Sequence, residues 1–490
     1  MNANQTQINS LSAQSNPTPI VGIIGGGVAG ATTALHLSEQ GYNVVLVEKN
    51  DSLVSGPPIC HLHAGGNLYR EISDEQCIEL LKDSIESVKL YPHTINRRPT
   101  VIATPNHDQH DPQSLFPRLL QVQQHYKQLI DLDPSNKVLG EPDDYFKVFT
   151  KQQLLALKEQ QQPAHPTTIE QWLIPFAQQV DLDTLRYPVV TVQEYGWSVF
   201  RLSAQAELSL SLESKCQLQL SSKVTNIEFN PHQAKPWAVS IHSQGQTQQL
   251  QVDYLINACG FRSGSLDNLA NIKRTRLVEF KAAYVANWDD NQLLWPEVIF
   301  HGQRGTPQGM AQLTPYGKHV YQLHGMTEDI TLFKNGLVIS DNDSQPKLPT
   351  PLLNKIDIGW SEEVVAQRTQ SAISHIAQYI PSFNSASLGG KPLYGAQQIP
   401  GDDVSLRATS VWFGEQNYAC IETVKASSCL PAAIKIAQQL KLTGLEPSHR
   451  SSAAEESSNK ALTESDIEQY AVRLARRRGY PEALALYYGQ

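Results

Sequence analysis

The chain has 490 residues, 40% apolar and 18% charged, enough for a sizeable core in two or three domains or one large two-part α/β enzyme, and too apolar for wholesale disorder. Its formal charge of −9 argues against a dedicated nucleic-acid binder, because neutralising phosphates takes a basic face. No stretch approaches the roughly 20 apolar residues that a membrane-spanning helix requires.

Residues 1–19 are rich in Asn, Gln, Ser and Thr and lack the basic start and apolar run of a signal peptide, so they read as a flexible leader. Ile20-Val21-Gly22-Ile23-Ile24 follows as a short apolar run, the pattern of a buried strand. Ala31 to Gln40 carries helix formers with apolar residues at helical spacing and stops at Gly41; Asn43 to Glu48 is a second buried strand. Strand, glycine turn, helix and strand within about 30 residues make a βαβ unit, which predicts a parallel sheet. Residues 75–91 and 151–162 have helical patterns, with Pro- and His-rich loops between them. Cys216 to Phe229 has strand-like stretches, Ala238 to Val252 alternates as a hairpin does, and Tyr254 to Gly260 is another buried strand. Residues 276–340 hold several β-rich segments, and Ser410 to Gly414 precedes a helix from about Thr423 to Leu442.

Residues 444–462, full of Ser, Glu and Ala, read as a linker. Ser465-x-x-Glu468 has the pattern of a capping box opening a C-terminal helical tail, 463–490, with the basic cluster Arg473, Arg476, Arg477 and Arg478. The tail reads as a solvated appendage whose arginines complement the helix C-terminus, with contact to acidic lipid or a protein partner as the sharper alternative. The cysteines Cys60, Cys77, Cys216, Cys259, Cys420 and Cys429 show no CxxC spacing. That argues against zinc ribbons, dithiol motifs and a disulfide scaffold, and for a reducing, cytoplasmic compartment.

Gly25-Gly26-Gly27-Val28-Ala29-Gly30 matches GxGxxG directly after one strand and directly before a helix. Gly25 allows the tight turn, Gly27 lets backbone N–H groups approach a pyrophosphate, and Gly30 lets helix and strand pack closely. The anion then sits at the helix N-terminus, where unpaired N–H groups and the dipole favour negative charge. Glu48 ends the second strand, 18 residues past Gly30, where a carboxylate accepts from ribose hydroxyls and prefers an unphosphorylated ribose. The dinucleotide is therefore FAD or NAD rather than NADP. No second GxGxxG sits in a strand–helix setting, so no separate nicotinamide domain is evident.

Three separated segments together resemble the D-amino-acid oxidase-type (DAO) family of FAD-dependent oxidoreductases. They are the fingerprint with Glu48 and Lys49, the strand Tyr254-Leu255-Ile256-Asn257-Ala258-Cys259-Gly260-Phe261-Arg262-Ser263, and the turn from Asn417 to Ser428 containing Thr423 and Val424. Ser221-Ser222-Lys223-Val224 is similar to the family strand whose valine backbone contacts the adenine. His63-Ala64-Gly65-Gly66 is similar to the segment that carries a covalently bound FAD in the dimethylglycine and sarcosine dehydrogenase branch, with Leu62 in place of the tryptophan. His63 is thus either a covalent attachment point or a residue lining the cofactor pocket.

The resemblance implies an α/β fold of the GR2 type: a Rossmann-like FAD-binding domain with an inserted β-sheet-rich substrate domain. The FAD-binding pieces are 20–105, 186–265 and 385–443, and the substrate domain comprises 106–185 and 266–384. It also implies dehydrogenation of a small amine, amino acid or 2-hydroxy acid by hydride transfer to flavin N5, with reoxidation by oxygen, a quinone or a carrier. The substrate is expected to be a carboxylate, for which a bidentate arginine is the natural clamp. Arg201 and Arg262 are the site candidates, with Arg407 also considered; Tyr316 and His324 are candidates for facing the flavin from the substrate domain. The competing readings are an FAD-dependent monooxygenase using NAD(P)H and a flavin-binding protein with a structural or partner-binding role. Against the first, Gly401-Asp402-Asp403 continues as Val404-Ser405 and so misses the monooxygenases' G-D-A-x-H-like motif.

Overall fold

A computed structural model of the chain describes residues 18–56, 70–289, 292–407, 411–447 and 462–489. Most of the expected leader, most of the expected linker, and His63 with its neighbours lie outside these residues.

The βαβ unit forms as the sequence predicts: β1 (Ile20–Ile24), α1 (Val28–Glu39) and β2 (Asn43–Val47). The two strands pair in parallel, with Ile24 opposite Val47. They lie inside a six-stranded sheet ordered Val411–Phe413, Tyr418–Ile421, Tyr254–Asn257, β1, β2, Cys216–Gln219. Every pairing in it is parallel except the first, an antiparallel edge. Such strands are buried on both faces, which is why they read as continuous apolar runs rather than alternating ones. On one face, α1 packs against α3 (Val199–Leu212) and α4 (Cys429–Leu442), so that Ala31, Ala34, Leu35 and Leu37 are all buried. The three-stranded sheet Lys223–Phe229, Trp237–Ser243, Gln246–Val252 contains the expected hairpin. Its inner side chains share a core with Val45, Val47 and Leu255.

The second half of the molecule is a nine-stranded mixed sheet. Toward one end of it the long strand Arg276–Asn287 pairs with Val320–Gly325, Leu337–Ile339 and Ser387–Pro400. Three of its strands fall at or beyond boundaries drawn from sequence. Thr100–Pro105, most of Leu185–Val192 and Ser387–Pro400 belong to segments assigned to the FAD-binding domain, yet they hydrogen-bond into this larger sheet. The chain crosses from one sheet to the other within those segments.

Two helix starts also differ from the sequence reading. α4 begins at Cys429 after a 3₁₀ turn at Ala426–Ser428, not near Thr423. The preceding residues are held by contacts to other elements: Val424 O accepts from Gln397 Nε2 at 2.6 Å and Ser427 O accepts from Ser87 Oγ at 2.9 Å. The tail helix α5 (Glu464–Arg477) is capped by Thr463 and Asp466, not by Ser465 and Glu468. Nor is the tail a solvated appendage. Ile467, Ala471, Leu474 and Ala475 bury one stripe of α5, which packs on α3, and Ala483, Leu484, Ala485 and Tyr488 are buried beyond it. Its arginines are engaged within the chain: Arg476 with Glu482, Arg477 with Asp51, Arg473 over the Tyr470 ring, and Arg478 inward.

One buried acid sits where α4 starts. Asp83, on α2 (Asp74–Leu90), accepts from Ser428 Oγ at 2.5 Å, and burial pushes its carboxyl up to about 6. Because its folded pKa lies above the ordinary carboxylate value near 4, its contribution to stability is complete below about pH 4 and is lost as pH rises through about 6. Asp83→Asn keeps an acceptor for Ser428 and removes that loss, on the order of 3 kcal/mol at most. The expected result is a melting temperature that exceeds wild type at pH 8 by roughly 2–5 °C and converges on it at pH 4. Parallel melting profiles across that range refute the assignment.

Candidate active site

A cavity of about 410 Å³ opens where the two sheets meet. On the nucleotide side its wall is the turn Gly25 to Ala29, Glu48 and Lys49, Gly260 and Arg262, and Thr423 to Ala426. Gly25 has φ +105°, and a Cβ there would lie 2.5 Å from Ala258 O. A Cβ on Gly30 would lie 1.8 Å from Gly25 O, so Gly30 serves close packing and stays out of the cavity wall. Gly27 differs, since a Cβ there meets no protein atom within 4 Å. It is the N-cap of α1, with no side-chain cap and no acidic residue in the first turn. That combination leaves first-turn N–H groups and the positive dipole end turned toward the cavity, the arrangement that takes a phosphate.

Glu48 braces this turn. Its Oε2 accepts from Gly26 N at 2.6 Å and its Oε1 from Asn50 N at 2.8 Å. Each carboxylate oxygen keeps a second lone pair for a ribose hydroxyl. Lys49 is lowered by burial and by Arg262, with Asp357 and Glu48 opposing. Arg262 bonds Asp357 Oδ1 at 2.6 Å and lies 4.9 Å from the Phe261 ring centroid. These contacts place Arg262 beside Lys49, in a turn that packs on the Ser387–Pro400 strand of the larger sheet, where the two walls of the cavity meet. The donor set and the open space over Gly27 fit the dinucleotide of FAD.

The opposite wall comes from the nine-stranded sheet. Lys281 Nζ bonds Glu279 Oε2 at 2.7 Å and Gln397 Oε1 at 3.2 Å, and Arg304 pairs with the same Glu279. Burial works to raise Glu279, but Lys281 and Arg304 outweigh it and hold the carboxyl below its usual range; burial lowers Lys281. Arg407 donates from Nη1 to Val404 O and Leu406 O, both at 2.8 Å. His324 lines the cavity with Gln312, whose Nε2 donates to Glu297 Oε1 at 2.8 Å and Thr314 Oγ1 at 2.9 Å. Ile299, Met310 and Met326 supply apolar wall. Gln397 and Gln398 clasp the last nucleotide-side turn by donating to Val424 O and Ile421 O.

Of the site residues named from sequence, Gly25, Gly27, Val28, Ala29, Glu48, Lys49, Gly260, Arg262, His324, Thr423 and Val424 converge on this cavity. Besides Gly30, three others do not line it. Val224 packs its side chain in the core of the three-stranded sheet. Arg201 is buried, with its guanidinium donating to the carbonyls of His93, Thr94, Ile95, Ala485 and Leu486. Committed to five carbonyls, it is a structural clamp and no longer a substrate candidate. Tyr316 is buried in the core that holds the tail, in a turn where the next residue, Gly317, faces Leu486 and Ala483. Sequence reasoning missed Lys281, Arg304, Gln312, Gln397 and Gln398. A usable signal was present in Leu277-Val278-Glu279-Phe280-Lys281-Ala282-Ala283, where two charges at period 2 share one face of an otherwise apolar strand.

A phosphate-binding turn on a parallel sheet, facing a second sheet across a cavity with cationic and apolar walls, defines a two-part flavoenzyme. The family model for FAD dependent oxidoreductases (DAO) matches residues 21–393. The chain belongs to that family, and it is an FAD-dependent oxidoreductase. Solved structures share the fold. Glycerol-3-phosphate dehydrogenase from Bacillus halodurans complexed with FAD is 14% identical with a TM-score of 0.53, over 96% of this chain and 74% of that one. Glycine oxidase from Geobacillus kaustophilus is 12% identical with a TM-score of 0.55, over 89% and 100%. L-proline dehydrogenase from P. horikoshii is 14% identical with a TM-score of 0.54, over 87% and 94%. No curated protein sequence matches the chain. No described helix is long and apolar enough to cross a membrane.

Proposed function

We propose that the enzyme dehydrogenates a small amine, amino acid or 2-hydroxy acid bearing one carboxylate, held by Arg304. The observation that carries this reading is the charge of the substrate-sheet wall. Three cations, Lys281, Arg304 and Arg407, line it with one carboxylate, Glu71, and Glu279 behind them pairs with Lys281 and Arg304; even with Glu279 counted, one positive charge is in surplus. A planar guanidinium matches a carboxylate in geometry as well as charge. His324 and Gln312 hydrogen-bond the substrate's amine or hydroxyl, and Ile299, Met310 and Met326 exclude water from the reacting C–H. When bound, FAD supplies the hydride acceptor at N5 and the route for electrons to oxygen, a quinone or a carrier. Fixing the substrate against that acceptor is the protein's part of the catalysis. The enzyme works in the cytoplasm, in keeping with the free thiols of Cys77, Cys216, Cys259, Cys420 and Cys429.

The test is anaerobic bleaching of the flavin, followed by visible absorbance, with amino acids, N-methyl amines and 2-hydroxy acids set against NADH and NADPH. Bleaching by one of the carboxylates is expected, and it identifies the substrate class. Bleaching by a nicotinamide alone overturns the reading in favour of a monooxygenase or reductase.

A further inference from the structure

The C-terminal tail reaches the phosphate turn through a short chain of contacts. α5 ends in a reversal in which Tyr480 N donates to Ala475 O at 2.9 Å and Gly479 N to Arg476 O at 3.0 Å, with Gly479 at φ +69°. This left-handed helix ending turns Arg478 inward. Its Nη2 donates to Leu53 O at 2.6 Å, Ser52 Oγ at 3.0 Å and Ser203 Oγ at 3.0 Å, and its Nη1 to Val54 O at 3.1 Å. From the same helix, Tyr470 OH donates to Glu207 Oε1 at 2.6 Å, and Glu207 Oε2 accepts from Leu53 N at 3.1 Å.

The segment so held acts directly on the glycine turn. Val54 N donates to Gly26 O at 2.9 Å, and the Leu53 side chain covers Gly26 so closely that a Cβ there would lie 2.5 Å from Leu53 Cδ2. Val54 has φ +49°, which a β-branched residue adopts only where its surroundings over-determine it. The surroundings here are Gly26 O on one side of its backbone and Arg478 on the other.

We propose that Arg478 is a positioning residue for FAD, and that the C-terminal tail is part of the cofactor-binding apparatus: it fixes Leu53 and Val54, which in turn fix Gly26 and the N–H groups beside it. If the tail only adds packing, loss of its contacts lowers the stability of the apoprotein and holoprotein alike. If it sets the phosphate turn, the same loss weakens FAD binding in addition.

The test compares FAD dissociation constants of the full-length protein by flavin fluorescence titration, all in a His63→Ala background so that release is non-covalent in every case. Arg478→Ala is expected to weaken FAD at least ~10-fold, about 1.4 kcal/mol. Arg478→Lys recovers only part of this, since an ammonium cannot reproduce the guanidinium fork. Val54→Gly, which relieves the left-handed strain, is expected to shrink the Arg478→Ala loss to below ~3-fold, a coupling that a merely structural role does not produce. An FAD dissociation constant within twofold of the background protein in folded Arg478→Ala overturns the proposal. Should that variant not fold, Tyr470→Phe decides. It removes one hydroxyl donor to Glu207, and the proposal stands if FAD weakens ~3-fold or more and falls if affinity is unchanged.

Discussion

Gly30→Ala is expected to purify without FAD, while Gly27→Ala is expected to fold normally and bind FAD at least ~100-fold more weakly, about 2.7 kcal/mol. Both residues belong to one fingerprint, but the structure gives them different neighbours. A Cβ at 30 lies 1.8 Å from Gly25 O and 3.1 Å from Ala258 Cβ, so Gly25 or α1 has to move. Gly25 has little room: its N donates to Val47 O at 2.8 Å, and its own positive φ places it tightly against Ala258. α1 must therefore swing away from β1, opening the phosphate turn and loosening a helix buried against α3 and α4. Overpacking of this kind costs roughly 1–3 kcal/mol of stability even where the fold survives. A Cβ at 27 meets no protein atom, and only an anion at the N-terminus of α1 is displaced. The absorbance ratio of purified protein at 450 and 280 nm, with FAD titration and melting of the apoprotein, separates the two. Gly27→Ala should leave apoprotein melting within about 1 °C of wild type, since no packing contact changes. Full FAD content in Gly27→Ala removes the phosphate from this turn.

That contrast also shows which features the sequence could convey. The fingerprint, β1, β2 and the Tyr254–Asn257 strand are local: residues adjacent in the chain build the turn, the helix end and the buried strands. The dinucleotide half was therefore legible from spacing and apolar runs. The cationic wall is not local. Lys281, Arg304 and Arg407 come from three places in the chain and meet only because a nine-stranded sheet folds them together. Arg201 illustrates the converse. Its guanidinium suits a carboxylate, which makes it a clamp candidate from sequence, yet its partners come from residues 93–95 and 485–486, which no local pattern links. The tail's buried stripe, Ile467, Ala471, Leu474 and Ala475, is half alanine. Its apolar signal is weak beside the charged residues around it, so the eye takes the helix for a solvated one.

Arg304→Met is expected to raise the substrate KM ~100-fold, about 2.7 kcal/mol, while kcat changes less than ~5-fold. Among the three cations of the wall, Arg304 has the guanidinium best placed to release toward a substrate. Arg407 is anchored by two backbone carbonyls, and Lys281 by Glu279 and Gln397. Arg304 shares Glu279 with Lys281 and is the most exposed member of that triad, at 40% against 19% and 6%. Its removal leaves Glu279 paired with Lys281, so no buried charge is orphaned. What is lost is a carboxylate contact made equally in the ground and transition states, hence the split between KM and kcat. Anaerobic reduction measured over a substrate series gives the binding constant and the limiting rate separately. The same series with the carboxylate replaced by a carboxamide supplies the control: wild type should bind the amide about as weakly as Arg304→Met binds the acid, and the variant should no longer discriminate between the two. A variant that still prefers the acid ~100-fold moves the carboxylate to Arg407, where the adjacent Val404 and Leu406 carbonyls would have to give up their donor to receive it.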